Sequence, residues 1–471
     1  MQLPRFLSRS GRLLAALLCL ASPAFAQEPP ASDDTLVETA RFLIQTITVE
    51  TDREASAEII KAETLLKEGG TYTEDDLRQA IARVHRLPFV LDASFSLRKG
   101  SERGTYELVV EAHTARWFFF DRGAQLTSFD RSYALEGNFF NSDHFTTSQT
   151  GLIGGRLFVG RSGVLYGSVG FHQDLVSDGS GIELGYTHYD LFGRGIVADA
   201  SYSANQCCTS EVIPFGIGPE LEAWDWDVDQ RAALSLAIPL SRNRSIQLGW
   251  TERRGGAGDH RRILDDDFFR RDFIFDGDQS SRQLAARWVQ DTSDDPLLPS
   301  RGSVLSAGLE YAEYDATDLH AYRFFSDELP QQVELPDFHG EQLTAALSAT
   351  RHWSLTPRQS VSATGRVSAG RSRVTNLRVD SGLLPETELD IFGGSIGGKH
   401  LFRLWSVREP GNLGDLFLET EVRYGVESSS PSLGLANNPL GRLEVSTGLT
   451  FRNRWGRLRL NLSYLDLDGV L

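Results

Sequence analysis

From residue 115 onward the chain returns again and again to one pattern, an apolar side chain at every second position with a small, polar or charged one between. Ile182, Leu184 and Tyr186 alternate with Glu183, Gly185 and Thr187, and Ala232, Leu234, Leu236 and Ile238 with Ala233, Ser235 and Ala237. The same holds for Ile246, Leu248 and Trp250, for Val361, Ala363, Gly365 and Val367, and for Leu458, Leu460, Leu462 and Tyr464. A period of two places the two sets on opposite faces of β-strands. A soluble sandwich also alternates, but the connections here mostly alternate in length as well. Short links (160–163, 241–244, 356–358, 454–456) take turns with long ones (206–226, 255–280, 315–340, 373–385, 428–440). That is the signature of a barrel in a membrane, with tight turns at one end, long loops at the other, hydrocarbon outside and water inside. The expectation for 115–471 is a transmembrane antiparallel β-barrel of about 14 to 16 strands, with the Trp117-Phe118-Phe119-Phe120 run in an interfacial aromatic girdle.

The N-terminus reads as an export signal over 1–26. Arg5, Arg9 and Arg12 precede the apolar stretch 13–20, and Ala24-Phe25-Ala26 forms a small-x-small cleavage site. That stretch is shorter than the roughly 20 residues a spanning helix needs. Cys19 lies within it, preceded by Leu18 rather than a small residue, so a lipid-anchored start is not expected. Cleavage removes three arginines and no acid and takes the formal charge from −17 to −20. So acidic a chain is not expected to bind nucleic acid, which needs a cationic surface. The remaining cysteines, Cys207 and Cys208, are adjacent and read as loop thiols or a local pair rather than a disulfide framework. Residues 27–39 form a short linker.

Between residues 40 and 114 the periodicity changes. Residues 42–50 read as a strand. A helix follows from Ser56 through Ile59, Ile60, Leu65 and Leu66 to Gly69-Gly70. Thr73 and Asp76 form a capping-box-like start for a second helix, whose Leu77, Ala80, Ile81 and Val84 share one face. After Pro88 the period becomes two. Leu91, Ala93, Phe95 and Leu97, then Tyr106, Leu108, Val110 and Ala112, read as two strands joined by a turn at 99–104. The order strand–helix–helix–strand–strand makes a small α/β domain with one sheet face under two helices.

That order, with Gly-Gly-x-Tyr before the second helix and Leu-Pro-Phe-Val after it, resembles a POTRA domain, the module that precedes outer-membrane barrels of the BamA/TamA-type surface-antigen family. The resemblance implies a bacterial outer-membrane location with the small domain in the periplasm. It also implies a role in inserting or translocating client proteins, with an unfolded client segment added as a strand along an edge at Phe89, Leu91, Phe95 and Leu97. A domain that only plugs or orients the barrel is the competing reading. The segment Asp291, Asp294, Pro296, Pro299, Arg301 and Gly302 is similar to a periplasmic turn that recurs in that family, and its acids, prolines and glycine suit a tight turn on physical grounds too. Gly393 and Gly394 match the glycine pair of the family's lumen loop. Lys399 then stands where the family has arginine, and Arg403 is a second basic candidate for contact with lumenal acids. A plain external loop is the alternative there. The chain departs from the family in having a single such domain. It also offers only two strands, at 443–451 and 458–465, after the one at 416–426, and ends Gly-Val-Leu without the usual terminal aromatic.

No enzyme, metal or cofactor is expected. Gly393-x-Ser395-x-Gly397 has the spelling of a hydrolase elbow but not its strand–turn–helix setting, and His113, His188 and His352 are scattered. Arg366, Glu419, Glu421 and Arg423 read as a polar barrel interior or a charged constriction. The expected partners are outer-membrane lipid and an unfolded client. A passive or gated pore and a two-partner secretion transporter are the alternatives.

Overall fold

The computed structural model describes residues 40–129, 145–173, 178–206, 228–256, 259–264, 270–295, 298–323, 331–334, 337–379, 382–409, 412–431 and 440–466. The export signal, the linker, Cys207, Cys208 and Pro296 lie outside them. Residues 42–471 fall in one compact unit.

The small domain opens with β1 (Arg41–Thr51), followed by a short turn of 3-10 helix and α1 (Ala57–Glu63). Next come β2 (Thr71–Thr73), α2 (Glu74–His85), β3 (Val90–Lys99) and β4 (Thr105–Thr114). The sheet order is β2-β1-β4-β3, with β1 parallel and β3 antiparallel to β4. Thr73 caps α2 as its sequence requires: Asp76 N donates to Thr73 Oγ1 at 3.2 Å, and Thr73 N donates back to the Asp76 carboxylate at 2.9 Å. The first helix is shorter than its apolar residues suggest. Ser56 turns its hydroxyl to Arg53 O at 2.7 Å instead of capping, and Thr64 bonds back to Lys61 O, so the helix stops before Leu65, which has φ 52°. Ile44, Ile59, Ile60, Leu77, Val84, Leu108 and Val110 fill the space between sheet and helices.

The barrel sheet follows. Its strands are β5 (Phe118–Phe129), β6 (Phe145–Val159), β7 (Gly163–Gln173), β8 (Asp178–Leu191) and β9 (Ile196–Gln206). Then come β10 (Val228–Ser241), β11 (Arg244–Gly256), β12 (Asp259–Leu264), β13 (Arg270–Asp291), β14 (Arg301–Arg323) and β15 (Gln331–Glu334). The sheet ends with β16 (Phe338–Thr356), β17 (Gln359–Val379), β18 (Gly382–Glu409), β19 (Asn412–Pro431), β20 (Leu440–Asn453) and β21 (Gly456–Asp466). The short β12 and β15 lie along β13 and β14, while β11 pairs directly with β13 and β14 with β16. Among the described residues the closed wall therefore has 15 strands. With an odd number the last strand meets the first running the same way, and β21 pairs with β5 in parallel from Gly456↔Phe120 to Leu465↔Phe129. Closure removes the open edges that hydrocarbon does not tolerate.

The alternation sorts the wall's two faces. Ile153, Leu157, Val169, Ile182, Leu184, Leu234, Leu284, Leu309, Leu343, Ile396 and Leu460 are all exposed on the outside. Inward positions are polar: the Tyr166 hydroxyl and Thr187 Oγ1 both donate to Asp199, at 3.3 and 2.6 Å, and Lys399 pairs with Glu419 at 2.9 Å. At the end bearing the short turns, Trp117, Phe192, Trp353, Trp405 and Trp455 form an exposed aromatic collar.

Candidate functional site

The site that the sequence does not announce is the seating of the small domain on the short-turn end of the barrel. Phe89, expected on a client-binding edge, lies just before β3 and is 2% exposed. Its ring meets Phe158 of β6 and Tyr189 of β8 edge-on, at centroid distances of 5.1 and 5.9 Å. The core of the small domain runs on through this contact into Val164 and Tyr189 of the barrel. Arginines frame it. Arg86 forms an ion pair with Asp291 at 3.1 Å and donates to Ser293 O at 3.0 Å. Arg83 bridges the largely enclosed Glu63 (2.6 Å) and Arg242 O (3.3 Å). From the barrel, Arg242 pairs with Asp76, Arg452 donates to Val90 O at 3.2 Å, and Arg454 pairs with Asp52 at 2.9 Å. These points lie on an arc from β20 through the β21–β5 seam to β13, so the domain lies across the mouth.

Electrostatics at the contact follow burial and pairing. Burial alone pushes the Asp76 carboxyl up. The hydrogen bonds from Thr73 and the charge of Arg242 outweigh it and hold the group below the usual carboxylate range. At Glu63 burial prevails over the Arg83 charge, and the carboxyl is raised. Burial lowers Arg86, partly offset by Asp291.

The turn motif proves to be part of this contact. Asp291 receives the Ser293 N–H at 2.9 Å and the Ser293 hydroxyl at 2.6 Å while facing Arg86. Asp294 closes the loop through the amides of Ser300 (2.8 Å) and Arg301 (3.2 Å). These bonds, led by the Ser300 hydroxyl, overcome burial and depress its pKa. Gly302 has φ +100°, and a Cβ there would fall 2.2 Å from Thr292 O. Pro299 is buried in the same turn.

Two expectations need correction. Gly393, Gly394, Lys399 and Arg403 do not form a loop. They stand in the wall strand β18, all in register with β19; on the other side the first three are in register with β17, and the Arg403 amide donates to Arg358 O at 2.8 Å in the adjoining turn. A run of glycines broken by Ile396 and Leu401 resembles a loop locally, yet it has a bonded partner at each position. The acids that Lys399 and Arg403 meet are Glu419 at 2.9 Å and Asp415 at 3.6 Å on the next strand. Ser395 sits mid-strand opposite Arg366 and Gly425, without the helix that a nucleophile elbow needs. The client edge is corrected in part as well. β3 is an edge strand, with β4 as its sole ladder partner among the described residues. However, Phe89 and Leu91 are buried, and Phe95 and Leu97 pack on the core. The side chains exposed along this edge are those of Ser94, Arg98 and, at its end, Lys99. Among the described residues no cluster of three His, Cys, Asp or Glu side chains suited to a metal ion occurs.

Phe89, Arg86 and Asp291 were visible in the sequence only as a hydrophobe, a helix-end cation and a turn acid. Nothing local says that they meet across some 200 residues, and Arg83, Arg242, Arg452 and Arg454 carry no motif at all.

No family model matches the chain, and neither does any curated protein. Solved structures similar to it include BamA from Haemophilus ducreyi lacking POTRA domains 1–3, at 10% identity and TM-score 0.38, covering 88% of this chain and 81% of that one. CdiB from Acinetobacter baumannii is similar at 12% identity and TM-score 0.41, covering 90% and 74%. The ferric citrate transporter FecA in its unliganded form is similar at 10% identity and TM-score 0.38, covering 75% and 59%. None is close in sequence.

Proposed function

We propose that this protein is a bacterial outer-membrane barrel whose small domain, POTRA-like and periplasmic, takes up extended segments of client proteins and hands them to the barrel for insertion or translocation. The observation that carries the reading is the outer edge of β3, a row of backbone groups to which no strand among the described residues is paired, at the mouth of the barrel. An unpaired edge is a template for one more strand. The core-facing side chains fix β3 in the sheet, while Ser94 and Arg98 leave its other face polar, so recognition by backbone rather than by side-chain pockets suits a varied clientele. The outer-membrane setting is supported by the closed wall, its exposed apolar belt and the aromatic collar at one end.

Photocrosslinkers placed at Ser94 and Ser96 in cells test this. The reading expects adducts with unfolded outer-membrane or exported proteins there and none at Arg78 on the outer face of α2. Equal labelling at all three positions, or none, overturns it. A gated pore is the second reading, favoured by the domain's position across the mouth. It expects no client adducts and an ion conductance that rises when the Phe89 and Arg86 contacts are removed.

A further inference from the structure

On the outside of the wall, beside the seam and next to the aromatic collar, the apolar surface is dented. Gly155 of β6 and Gly167 of β7 are register partners, so two neighbouring outward positions lack side chains. The groove they leave, about 480 Å³, is walled by Trp117, Ile153, Val169, Ile182 and Leu184. These are among the most exposed apolar side chains of the molecule, with Trp117 at 61% and Ile153 at 65%. At Gly155 an added Cβ would meet nothing closer than 3.7 Å, whereas at Gly167 it would fall 2.8 Å from Leu184 Cδ2, so the open part of the dent lies over Gly155 and Leu184 leans across Gly167.

The groove itself is lined by no charged residue, and the nearest cation stands beyond its Trp117–Phe118 end. Phe118 and Trp455 pack at 5.4 Å, and the Arg116 guanidinium lies 5.1 Å from the Trp455 ring on the side toward the small domain. Arg116 is exposed, and the described residues give it no carboxylate partner. Burial first, then the charges of Arg116 and Arg454 close by, lower the Arg53 pKa, with Asp52 opposing them. The nearby acid, Asp52, is already engaged by Arg454 and by the Thr114 N–H. An apolar slot on a hydrocarbon-facing wall, then an aromatic step, then surplus positive charge at the water boundary matches in order an acyl chain, a glycerol backbone and a phosphate.

We propose that the Gly155–Gly167 groove and the Arg116–Arg53 edge together seat one anionic phospholipid of the leaflet nearest the small domain. This rests on the reading of the chain as a membrane barrel. The lipid would lie against β5, the first strand of the parallel seam, and would bridge the wall and the root of the small domain. Its chemistry is recognised at two separate points, so the two halves of the site fail independently.

The test uses the full-length protein in nanodiscs of equal parts phosphatidylethanolamine and phosphatidylglycerol, released and weighed by native mass spectrometry. Wild type is expected to keep one phospholipid per barrel, with phosphatidylglycerol enriched about fivefold. Gly155→Phe, and independently Val169→Phe should the first fold poorly, are expected to cut lipid retention by about tenfold. Arg116→Gln is expected to keep a lipid but lose the preference for phosphatidylglycerol. Wild-type retention in both groove variants, retention of detergent alone, or unchanged preference in Arg116→Gln overturns the proposal. Heat-modifiable migration in SDS, read on the same samples, reports on the barrel itself. A heat-modifiable protein without this lipid sinks the groove alone, whereas a wild type that is not heat-modifiable sinks the membrane reading beneath it.

Discussion

The Phe89 ring fills a gap between Phe158 and Tyr189, and truncation there leaves both an apolar hole and two aromatic edges without a partner. Phe89→Ala is expected to weaken the contact by about 3 to 5 kcal/mol, read as faster hydrogen exchange in α2 with the exchange of β16 and β17 unchanged. Asp76 supplies a pH signature. Its folded-state pKa lies below the unfolded value of about 3.9, so its contribution is complete above that value and is lost as the pH falls through the lower folded value. Protection of the α2 amides, taken relative to intrinsic exchange at each pH, should therefore fall on acidification below about pH 4 in wild type. In Asp76→Asn it should be lower already at neutral pH and lack that acid step. Equal acid sensitivity in the two proteins would contradict the assignment. At this scale the sequence was legible where chemistry is local. The Thr73–Asp76 cap and the Asp291–Gly302 turn are spelled out in neighbouring residues, whereas the pairing of Arg242 with Asp76 arises only once the chain has closed.

Elements were legible through their period. The small domain's helix and strand order follows from a switch between i, i+3, i+4 spacing and strict alternation. The strands at 443–451 and 458–465 appear within β20 and β21. Two expectations at this scale were misread. The resemblance suggested that the glycine-rich start of Phe392-Gly-Gly-Ser-Ile-Gly-Gly was a loop, and the apolar spacing suggested one helix from Ser56 to Gly69-Gly70. In the first case partners on both sides impose a strand, and in the second the Thr64 back-bond ends the helix. The β13–β14 turn carries a prediction of its own. Gly302→Ala places a Cβ against the Thr292 carbonyl and strains a φ of +100°, at a cost above about 1 kcal/mol. The temperature at which the barrel changes its migration in SDS should fall. The nearby Ser303→Ala, which loses only a hydroxyl contact to Thr292, should lower it less.

For the whole molecule, alternation gives the architecture and not the count. Each strand could be read one at a time, but parity is a property of the ring, and the 15 wall strands among the described residues force a parallel seam between β21 and β5. Arg457 and Arg459 both reach Asp121 across that seam, at 2.5 and 3.3 Å, and supply side-chain pairing where parallel bonds are weaker. The position of the small domain across the mouth was equally invisible, because it is built from contacts between distant residues. It predicts a small conductance for the wild-type protein in planar bilayers and a severalfold larger one for Phe89→Ala combined with Arg86→Ala. Equal conductance would show that the domain does not obstruct the lumen.

The most direct measurement is a single-cysteine scan along β8 from Ile182 to Thr187 in lipid vesicles, with an aqueous maleimide against a lipid-borne quencher. Ile182, Leu184 and Tyr186 should be quenched from the lipid and slow to react, while Glu183, Gly185 and Thr187 should react from water. Loss of that alternation, with both sets open to the aqueous reagent, would contradict a wall that separates hydrocarbon from a wet interior.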